Sequence, residues 1–209
     1  MFKSLNWLLD WLAPLACLGC RQPDTLLCLD CKQSLKVEKL TAGLPGLDHC
    51  LIACHYSQPL IRQLVKQFKY NNLQQLAETL GRLLAQRLQL ETKLPNFVIV
   101  PVPLHRRRQR RRGYNQSELL AQELTKKFNW PLSADLKRVI AAPPQAKLKR
   151  KKRLTNLQGA FAYSGPALEQ PVLLIDDVTT TGQTLIQAAA VLKANGAPAV
   201  WALTLAKNI

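Results

Sequence analysis

The chain has 209 residues, of which 47% are hydrophobic, and it carries a formal net charge of +16 at pH 7. Such a length suits one hydrophobic core with a small appendage, and no apolar run approaches the roughly 18 residues that suggest a membrane span. The strong positive charge favours polyanionic partners, namely nucleic acid, anionic lipid or phosphorylated ligands.

The first predicted element is a short amphipathic helix that ends near Pro14. Its apolar residues recur at helical spacing, at Leu5, Leu8, Leu9 and Leu12. A secretory or lipoprotein signal is the alternative, because the apolar stretch ends in Leu-Ala-Cys at residues 15–17. That layout fits a signal poorly, since Asp10 interrupts the stretch and Lys3 is the only basic residue before it. We therefore expect a cytoplasmic protein.

Four cysteines follow in two pairs. Each pair has two intervening residues, and seven residues separate the pairs: Cys17, Cys20, Cys28 and Cys31. Four thiolates with this spacing predict a compact structural Zn²⁺ module within residues 1–49, with free or redox thiols as the alternative. Two further cysteines, Cys50 and Cys54, lie beside His49 and His55. Their segment is typical of a buried strand, which we favour over a second metal site.

Residues 50–209 alternate strands with helices, which predicts an α/β domain with a mostly parallel sheet and flanking helices. The apolar pattern predicts strands at 50–56, 97–102, 172–175 and 199–205. It predicts helices at 59–70, 73–90, 116–128 and 182–195, the last closed by Gly196. The stretch from Arg138 to Phe161 is predicted to be basic and loop-rich.

The strand predicted at 172–175 leads directly into two carboxylates and a hydroxyl-rich loop. The carboxylates are Asp176 and Asp177, and the loop residues are Val178, Thr179, Thr180, Thr181, Gly182 and Thr184. Loop amides, hydroxyls and a helix N-terminus together bind a phosphate dianion. The carboxylates can accept hydrogen bonds from ribose hydroxyls or support a Mg²⁺ ion. The pattern therefore predicts a pocket for a phosphorylated sugar, with an ordinary strand and polar turn as the alternative.

The thirteen residues from Val172 to Thr184 resemble the loop that binds phosphoribosyl pyrophosphate (PRPP) in type I phosphoribosyltransferases. In that class a loop after another strand holds the pyrophosphate of PRPP. The strand end Val-Pro-Val-Pro-Leu at 100–104 resembles the one in the purine-pathway amidotransferase. The resemblance implies that Pro103 and Leu104 contribute to the phosphate site.

Two dense basic runs hold 12 of the 29 lysines and arginines. The run at 106–112 contains Arg106, Arg107, Arg108, Arg110, Arg111 and Arg112, and the run at 147–153 contains Lys147, Lys149, Arg150, Lys151, Lys152 and Arg153. Such side chains contact phosphates without reading sequence, so we predict binding of single-stranded DNA without sequence preference. A solvated surface is the alternative. The candidate platforms for stacked bases are Tyr114, Phe128, Trp130, Phe161 and Tyr163, any of which can instead belong to the core.

The order of motifs along nearly the whole chain resembles the ComF/GntX family of bacterial competence and DNA-utilisation proteins. After the cysteine module these motifs are residues 56–60, 66–70 (Lys-Gln-Phe-Lys-Tyr), 100–104, 112–116 (Arg-Gly-Tyr-Asn-Gln), Gln145, Arg153 with Asn156, 159–161 and the loop at 172–184. The resemblance implies a cytoplasmic protein with a zinc-binding head and a phosphoribosyltransferase-like body. It also implies a role in handling single-stranded DNA after uptake, beside helicase and recombination-mediator partners.

Two functions fit these patterns. The first is a DNA-uptake accessory protein that binds single-stranded DNA through the basic runs and PRPP or a 5′-phosphorylated nucleotide at the threonine loop. The alternative is an active phosphoribosyltransferase, in which Asp176 and Asp177 are catalytic, Mg²⁺ accompanies PRPP, and residues 141–153 close as a lid. A transferase needs an acceptor site and a base, and His105 is a weak candidate for that base. We therefore favour binding over catalysis.

Overall fold

The structure is a computed structural model that describes residues 15–139 and 159–207. The helix predicted before Pro14, the basic run at 147–153 and the lid predicted at 141–153 lie outside the described residues.

The described residues form seven strands and six helices. The strands are β1 (Leu40–Thr41), β2 (His49–His55), β3 (Val98–Pro101), β4 (Leu136–Arg138), β5 (Phe161–Tyr163), β6 (Val172–Thr179) and β7 (Val200–Lys207). The helices are α1 (Leu29–Gln33), α2 (Pro59–Tyr70), α3 (Leu76–Gln89), α4 (Arg106–Arg112), α5 (Gln116–Phe128) and α6 (Gln183–Ala194).

A five-stranded sheet in the order β1-β2-β7-β6-β3 forms the centre of the fold. The last four strands of that order are parallel, and only β1 is antiparallel to its neighbour. Helices α2, α3 and α5 share an apolar core with one face of the sheet, and α6 packs with the other face. The predicted α/β architecture, a mostly parallel sheet with flanking helices, is thus confirmed.

Strand β6 shows why the sheet presents its polar loop at one edge. Its first four residues, 172–175, are fully buried because helices cover both faces. The strand extends four residues beyond the predicted end, since Asp176, Val178 and Thr179 still pair with β7. The acidic pair therefore belongs to the strand end itself, so the sheet fixes its backbone.

Helix boundaries follow local signals closely. Helices α2 and α5 have the predicted bounds: Pro59 occupies the first turn of α2, and the Asn115 side chain accepts from the backbone N–H of Ser117 at 3.2 Å to cap α5. Helix α3 begins at Leu76, three residues later than predicted. The arginine run at 106–112, to which the sequence pattern assigned no element, forms the helix α4.

A second difference concerns residues on either side of the segment 140–158. Strands β4 and β5 form a separate two-stranded antiparallel sheet that was not predicted. They meet the stretch predicted to be loop-rich only at its end residues, Arg138 and Phe161, and most of that stretch lies outside the described residues. Strands of three residues are too short for an alternating apolar and polar pattern to be recognised in the sequence.

The buried Arg87 ties the short strand β1 to the body of the fold. Its guanidinium donates to the carbonyls of Ile52 at 3.1 Å and Leu40 at 3.0 Å, and to the Glu91 carboxylate at 2.6 Å. A buried charge is stable only when paired and hydrogen-bonded in this way.

The cysteine module packs on the body rather than standing apart from it. Its buried residues Cys17, Leu18, Leu27, Cys28 and Leu35 belong to the same apolar core as one face of α2. The domain boundary at 49/50 remains a prediction, but the apolar core is continuous across it. Among the described helices, none combines the length and the hydropathy needed to cross a membrane.

Candidate functional site

A cavity of about 780 Å³ lies between α2 and the loop that joins β6 to α6. On the loop side it is lined by Asp176, Val178, Thr179, Thr180, Thr181, Gly182, Gln183 and Thr184. On the helix side it is lined by Arg62, Gln63, Val65, Lys66, Gln67, Lys69 and Tyr70, together with Tyr56 and Pro59. Its place at the carboxyl end of a parallel strand is where open α/β sheets bind ligands.

The threonine loop owes its course to Gly182. This residue has φ +75° and caps the N-terminus of α6, a conformation that favours glycine. A Cβ at this position would lie 2.5 Å from both methyl carbons of Leu44, which comes from the connector between β1 and β2. The connector therefore packs against the threonine loop at position 182, and only a glycine there leaves room for the Leu44 side chain.

The two adjacent aspartates have different surroundings. Asp176 is half-buried, lines the cavity, and accepts hydrogen bonds from Ser117 Oγ at 3.0 Å and from the backbone N–H of Asp177 at 2.8 Å. Asp177 is only 7% exposed and does not line the cavity; its Oδ1 lies 2.9 Å from Lys69 Nζ on α2. One carboxylate thus faces the cavity directly, and the other pairs with a lysine that lines it.

The proximity of these charges shifts their protonation equilibria. Burial and the neighbouring Asp177 carboxylate raise the pKa of Asp176 to about 7, against the opposing effect of Lys69. Burial alone would lower the pKa of Lys69, but the charges of Asp177 and Asp176 raise it above its ordinary value, so this lysine stays an ammonium ion. Near neutral pH, Asp176 is poised to become fully ionised when a cation approaches.

This raised pKa predicts a stability effect of Asp176→Asn. Because the folded pKa lies above the unfolded value of 3.8, the folded state holds more protons between these values and stability falls as pH rises through this range. We expect the variant to raise the free energy of unfolding by on the order of 2 kcal/mol at pH 8, with the gain vanishing towards pH 4. Urea denaturation at several pH values, with the exposed Glu169→Gln as control, measures this. A gain that is equal at all pH values would contradict it.

The end of β3 lies beside the acidic strand. The backbone N–H of Val102 donates to the carbonyl of Ile175 at 2.9 Å, and the Asn115 side chain donates to the carbonyl of Val102 at 3.2 Å. Pro103 and Leu104 follow as half-exposed residues, but they do not line the cavity between α2 and the threonine loop. Their predicted contact with a phosphate stays a prediction.

Helix α4 concentrates positive charge next to this site. His105 caps it, accepting from the backbone N–H of Arg107 through Nδ1 at 3.3 Å, so the histidine has a structural role here. Four of its arginines are exposed: Arg106, Arg107, Arg110 and Arg111. Within residues 15–139 and 159–207, none of the six α4 arginines has a carboxylate within salt-bridge distance. The helix therefore presents uncompensated charge to polyanions.

Three further guanidinium groups are partly buried near one another. Arg112 lies 5.3 Å from the centroid of the Tyr70 ring, and Arg138 lies 5.3 Å from the centroid of Phe161. Burial and the charges of Arg112 and Arg111 lower the pKa of Arg108, and burial and Arg108 lower that of Arg138. In the described part of the chain, the Nε atoms of Arg112 and Arg138 have no hydrogen-bond partner. An anion at this place would relieve the repulsion.

Of the five aromatic residues considered as platforms for bases, three are buried and two, Phe128 and Tyr163, are half-buried. Tyr114 is 7% exposed, and its hydroxyl donates to the carbonyl of Phe68. Trp130 and Phe161 are also buried, so these three side chains belong to the core and present no open face to a base. Phe128 stacks on Trp130 with ring centroids 4.6 Å apart.

The structure brings in residues that sequence reasoning did not assign to the site. Lys69 and Tyr70 end the motif at 66–70, which was the one signal for them, and Tyr70 is 64% exposed. Ser117 was not assigned to the site either, although its hydroxyl contacts Asp176. Arg138 had no signal at all.

The four cysteines of the module converge on one point. Their Sγ atoms all lie within 4.8 Å of one another, so the cluster can hold a metal ion. Burial would raise the pKa of Cys17, but hydrogen bonds from the backbone N–H groups of Cys28, Cys20 and Gly19 together lower it to about 6, which favours the thiolate. Four sulfur ligands fit Zn²⁺, and the identity of the metal stays a prediction.

The other two cysteines, Cys50 and Cys54, are buried in β2, as the interpretation of their segment as a strand expected. Burial raises their pKa values to about 11 and about 12.

These features define a class of protein: an α/β domain with a threonine-rich loop at a strand end, joined to a four-cysteine module. No family model matches the chain. Competence protein F of Haemophilus influenzae is 40% identical over 78% of this chain and 75% of its own length. The DNA utilization protein YhgH of Escherichia coli K12 is 32% identical over 94% and 98%, and competence protein ComFC of Bacillus subtilis is 29% identical over 90% and 86%. The chain therefore belongs to the ComF family of competence and DNA-utilisation proteins.

Among solved structures, the glutamine PRPP amidotransferase of Bacillus subtilis is similar with a TM-score of 0.45 and 17% identity. The match covers 67% of this chain and 30% of that enzyme.

Proposed function

We propose that this chain handles single-stranded DNA in competence or DNA utilisation, and that its cavity holds PRPP or the 5′-phosphate of a nucleotide. The observation that carries the proposal is the cavity itself, where the threonine loop faces three cationic side chains of α2. A phosphate dianion would receive loop amides and hydroxyls on one side and cations on the other. The names of the relatives, competence protein F and DNA utilization protein, support the biological setting.

The sugar of such a ligand would lie next to Asp176. Its half-buried carboxylate keeps accepting capacity beyond the bonds from Ser117 and from the backbone of Asp177. The ribose hydroxyls of PRPP can donate to it, whereas the 5′-terminal deoxyribose of a DNA strand has no free hydroxyl. A Mg²⁺ ion bound with PRPP would find an oxygen ligand there. We propose Mg²⁺ as a companion of PRPP for this reason.

The proposed compartment is the cytoplasm. A four-thiolate metal site and two buried free thiols, Cys50 and Cys54, suit a reducing compartment. The expected helicase and recombination-mediator partners stay a prediction, since the family resemblance is their only support.

Calorimetric titration tests the cavity proposal. Wild-type protein should bind PRPP in the presence of Mg²⁺, and a short 5′-phosphorylated oligonucleotide should compete with it, whereas the same oligonucleotide with a 5′-hydroxyl should compete less well. Absence of PRPP binding together with equal affinity for the two oligonucleotides would contradict the proposal.

Binding of single-stranded DNA should depend on α4 and on salt. Replacing the four exposed residues Arg106, Arg107, Arg110 and Arg111 with Gln should lower the slope of log affinity against log salt by about 2 to 3, because each lost phosphate contact with a single strand removes about 0.7. Fluorescence anisotropy with an unstructured oligonucleotide measures the slope.

The control for this experiment removes the same charge elsewhere. Arg82, Lys93, Lys126 and Lys127 are exposed and do not line the cavity. If their fourfold replacement with Gln lowers the slope as much as the α4 variant does, binding follows net charge and the assignment to α4 is wrong.

Transfer of a phosphoribosyl group is less well supported. His105, the base considered for it, is engaged as the cap of α4. We therefore propose a binding function.

A further inference from the structure

The α2 side of the cavity carries positive charge that the protein does not neutralise. Arg62, Lys66 and Lys69 are four and three residues apart, so they share one face of the helix, and all three line the cavity. Lys69 is paired with Asp177 at 2.9 Å. Arg62 and Lys66 are exposed, and within the described ranges neither has a carboxylate oxygen within 4.0 Å. These two side chains are available to an anion other than the one in the threonine loop.

The same wall offers groups that recognise more than charge. Gln63 and Gln67 are half-buried amides, which can donate to and accept from the edge of a base. Tyr56 and Tyr70 also line the cavity, and Tyr70 is 64% exposed. A purely cationic wall would suit an inorganic anion, whereas cations interleaved with amides and rings suit a nucleotide, which has a phosphate, a sugar and a base.

Tyr70 also connects this wall with the basic helix α4. The guanidinium of Arg112 lies 5.3 Å from the centroid of the Tyr70 ring, so the last residue of α2 contacts the end of α4. A chain of phosphates that passes over Arg62 and Lys66 can therefore continue towards the arginines of α4 without leaving positively charged surface.

We infer that the α2 wall is a second nucleotide subsite, which takes the nucleotide adjacent to a 5′-terminal phosphate seated in the threonine loop. Its ligand is a 5′-phosphorylated single strand, with the second phosphate on Arg62 and Lys66 and the neighbouring base against Tyr70 and the glutamines. This inference rests on the proposed function, because it requires the first phosphate to occupy the loop. It gives the protein a preference for the 5′ end of a strand over its interior.

The test compares three ligands on the double variant Arg62→Gln/Lys66→Gln. The ligands are a 5′-phosphorylated dinucleotide, ribose 5-phosphate, and PRPP with Mg²⁺. The variant should weaken binding of the dinucleotide about tenfold, the loss expected from two charge-assisted contacts at an open wall, and that of ribose 5-phosphate less than about twofold. The control Arg82→Gln/Lys93→Gln removes the same charge from exposed positions outside the cavity. Thermal melting checks that both variants fold.

The outcomes separate this inference from the function on which it rests. An equal loss for the dinucleotide in the variant and the control would overturn the subsite, as would an equal loss for the dinucleotide and ribose 5-phosphate. A tenfold loss for PRPP would instead assign the second phosphoryl position to its pyrophosphate and would also overturn the nucleotide subsite. If wild-type protein binds the dinucleotide but not ribose 5-phosphate, and the variant loses the dinucleotide, Arg62 and Lys66 bind the strand without a terminal phosphate in the threonine loop. That result would overturn the threonine-loop proposal and, with it, the assignment of the α2 wall to the nucleotide beside the 5′ end. If wild-type protein binds none of the three ligands, both fail.

Discussion

The double variant Asp176→Asn/Asp177→Asn should lose binding of PRPP with Mg²⁺ by at least about a hundredfold, while its affinity for single-stranded DNA changes less than about twofold. The loss has two physical sources. A neutral amide at position 176 can no longer offer a charged acceptor to the ribose or to Mg²⁺. An amide at position 177 can no longer hold the Lys69 ammonium, whose Nζ lies 2.9 Å from the wild-type carboxylate. Calorimetry and anisotropy on the same preparation measure the two affinities.

The change in net charge acts in the opposite direction on PRPP affinity, so the two explanations predict opposite results. Removing two negative charges makes the cavity more positive, which by itself would strengthen binding of any phosphate. Retained or tightened PRPP binding would therefore show that phosphate charge alone governs affinity, and it would refute the role of the aspartates at the ribose. The exposed acids Asp30 and Glu169, replaced together by Asn and Gln, provide the control for net charge.

Removal of the metal should lower the melting temperature of the whole chain by at least about 10 °C, because metal binding and folding are coupled in small thiolate modules. The effect should reach the body, since Cys17 and Cys28 are buried in the same apolar core as α2. Protein purified without chelator should contain one equivalent of Zn²⁺ per chain, and Cys28→Ser should lose both the metal and the stability. Elemental analysis and calorimetric melting measure this, and a metal-free protein with unchanged melting would exclude a structural metal.

A pair of glycines provides a control that leaves the ligands intact. A Cβ at Gly19 would collide with Sγ of Cys31, whereas a Cβ at Gly43 would meet nothing within 4 Å. Gly19→Ala should therefore weaken metal retention against a chelator, and Gly43→Ala should not. Equal behaviour of the two variants would mean that the module tolerates displacement of Cys31.

The sequence predicts the parts of this fold that follow from local pattern. Helix α2 keeps its apolar residues on one face, and its start at Pro59 and α5's cap at Asn115 are local signals, so both helices were predicted with their observed bounds. The threonine loop could also be predicted from the sequence, because its glycine and hydroxyl residues are contiguous in the chain. The cysteine cluster followed from spacing alone, and the structure brings its four sulfur atoms together.

What the sequence does not show depends on side chains that are distant in the chain. The ion pair between Lys69 and Asp177 joins residues over a hundred positions apart, and no hydrophobic periodicity in the sequence predicts it. The same holds for Ser117 and Asp176, and for the burial of Tyr114 against Phe68. The sequence shows that Tyr114 is an aromatic residue near arginines. Only the packing of α2 shows that the Tyr114 ring is buried and that the Tyr70 ring is exposed.

The contact between Leu44 and Gly182 bears on how this protein can be dissected. The predicted boundary would cut the chain before residue 50, inside β2, and would remove both the leucine behind the threonine loop and β1, which Arg87 anchors. A fragment that starts there would lack Leu44, which contacts the threonine loop. It would also lack the Leu40 carbonyl, which accepts a hydrogen bond from the buried Arg87 guanidinium. The segment before the boundary thus supports the loop that lines the cavity, and binding experiments on this chain require its residues 40–49 as well as the α/β body.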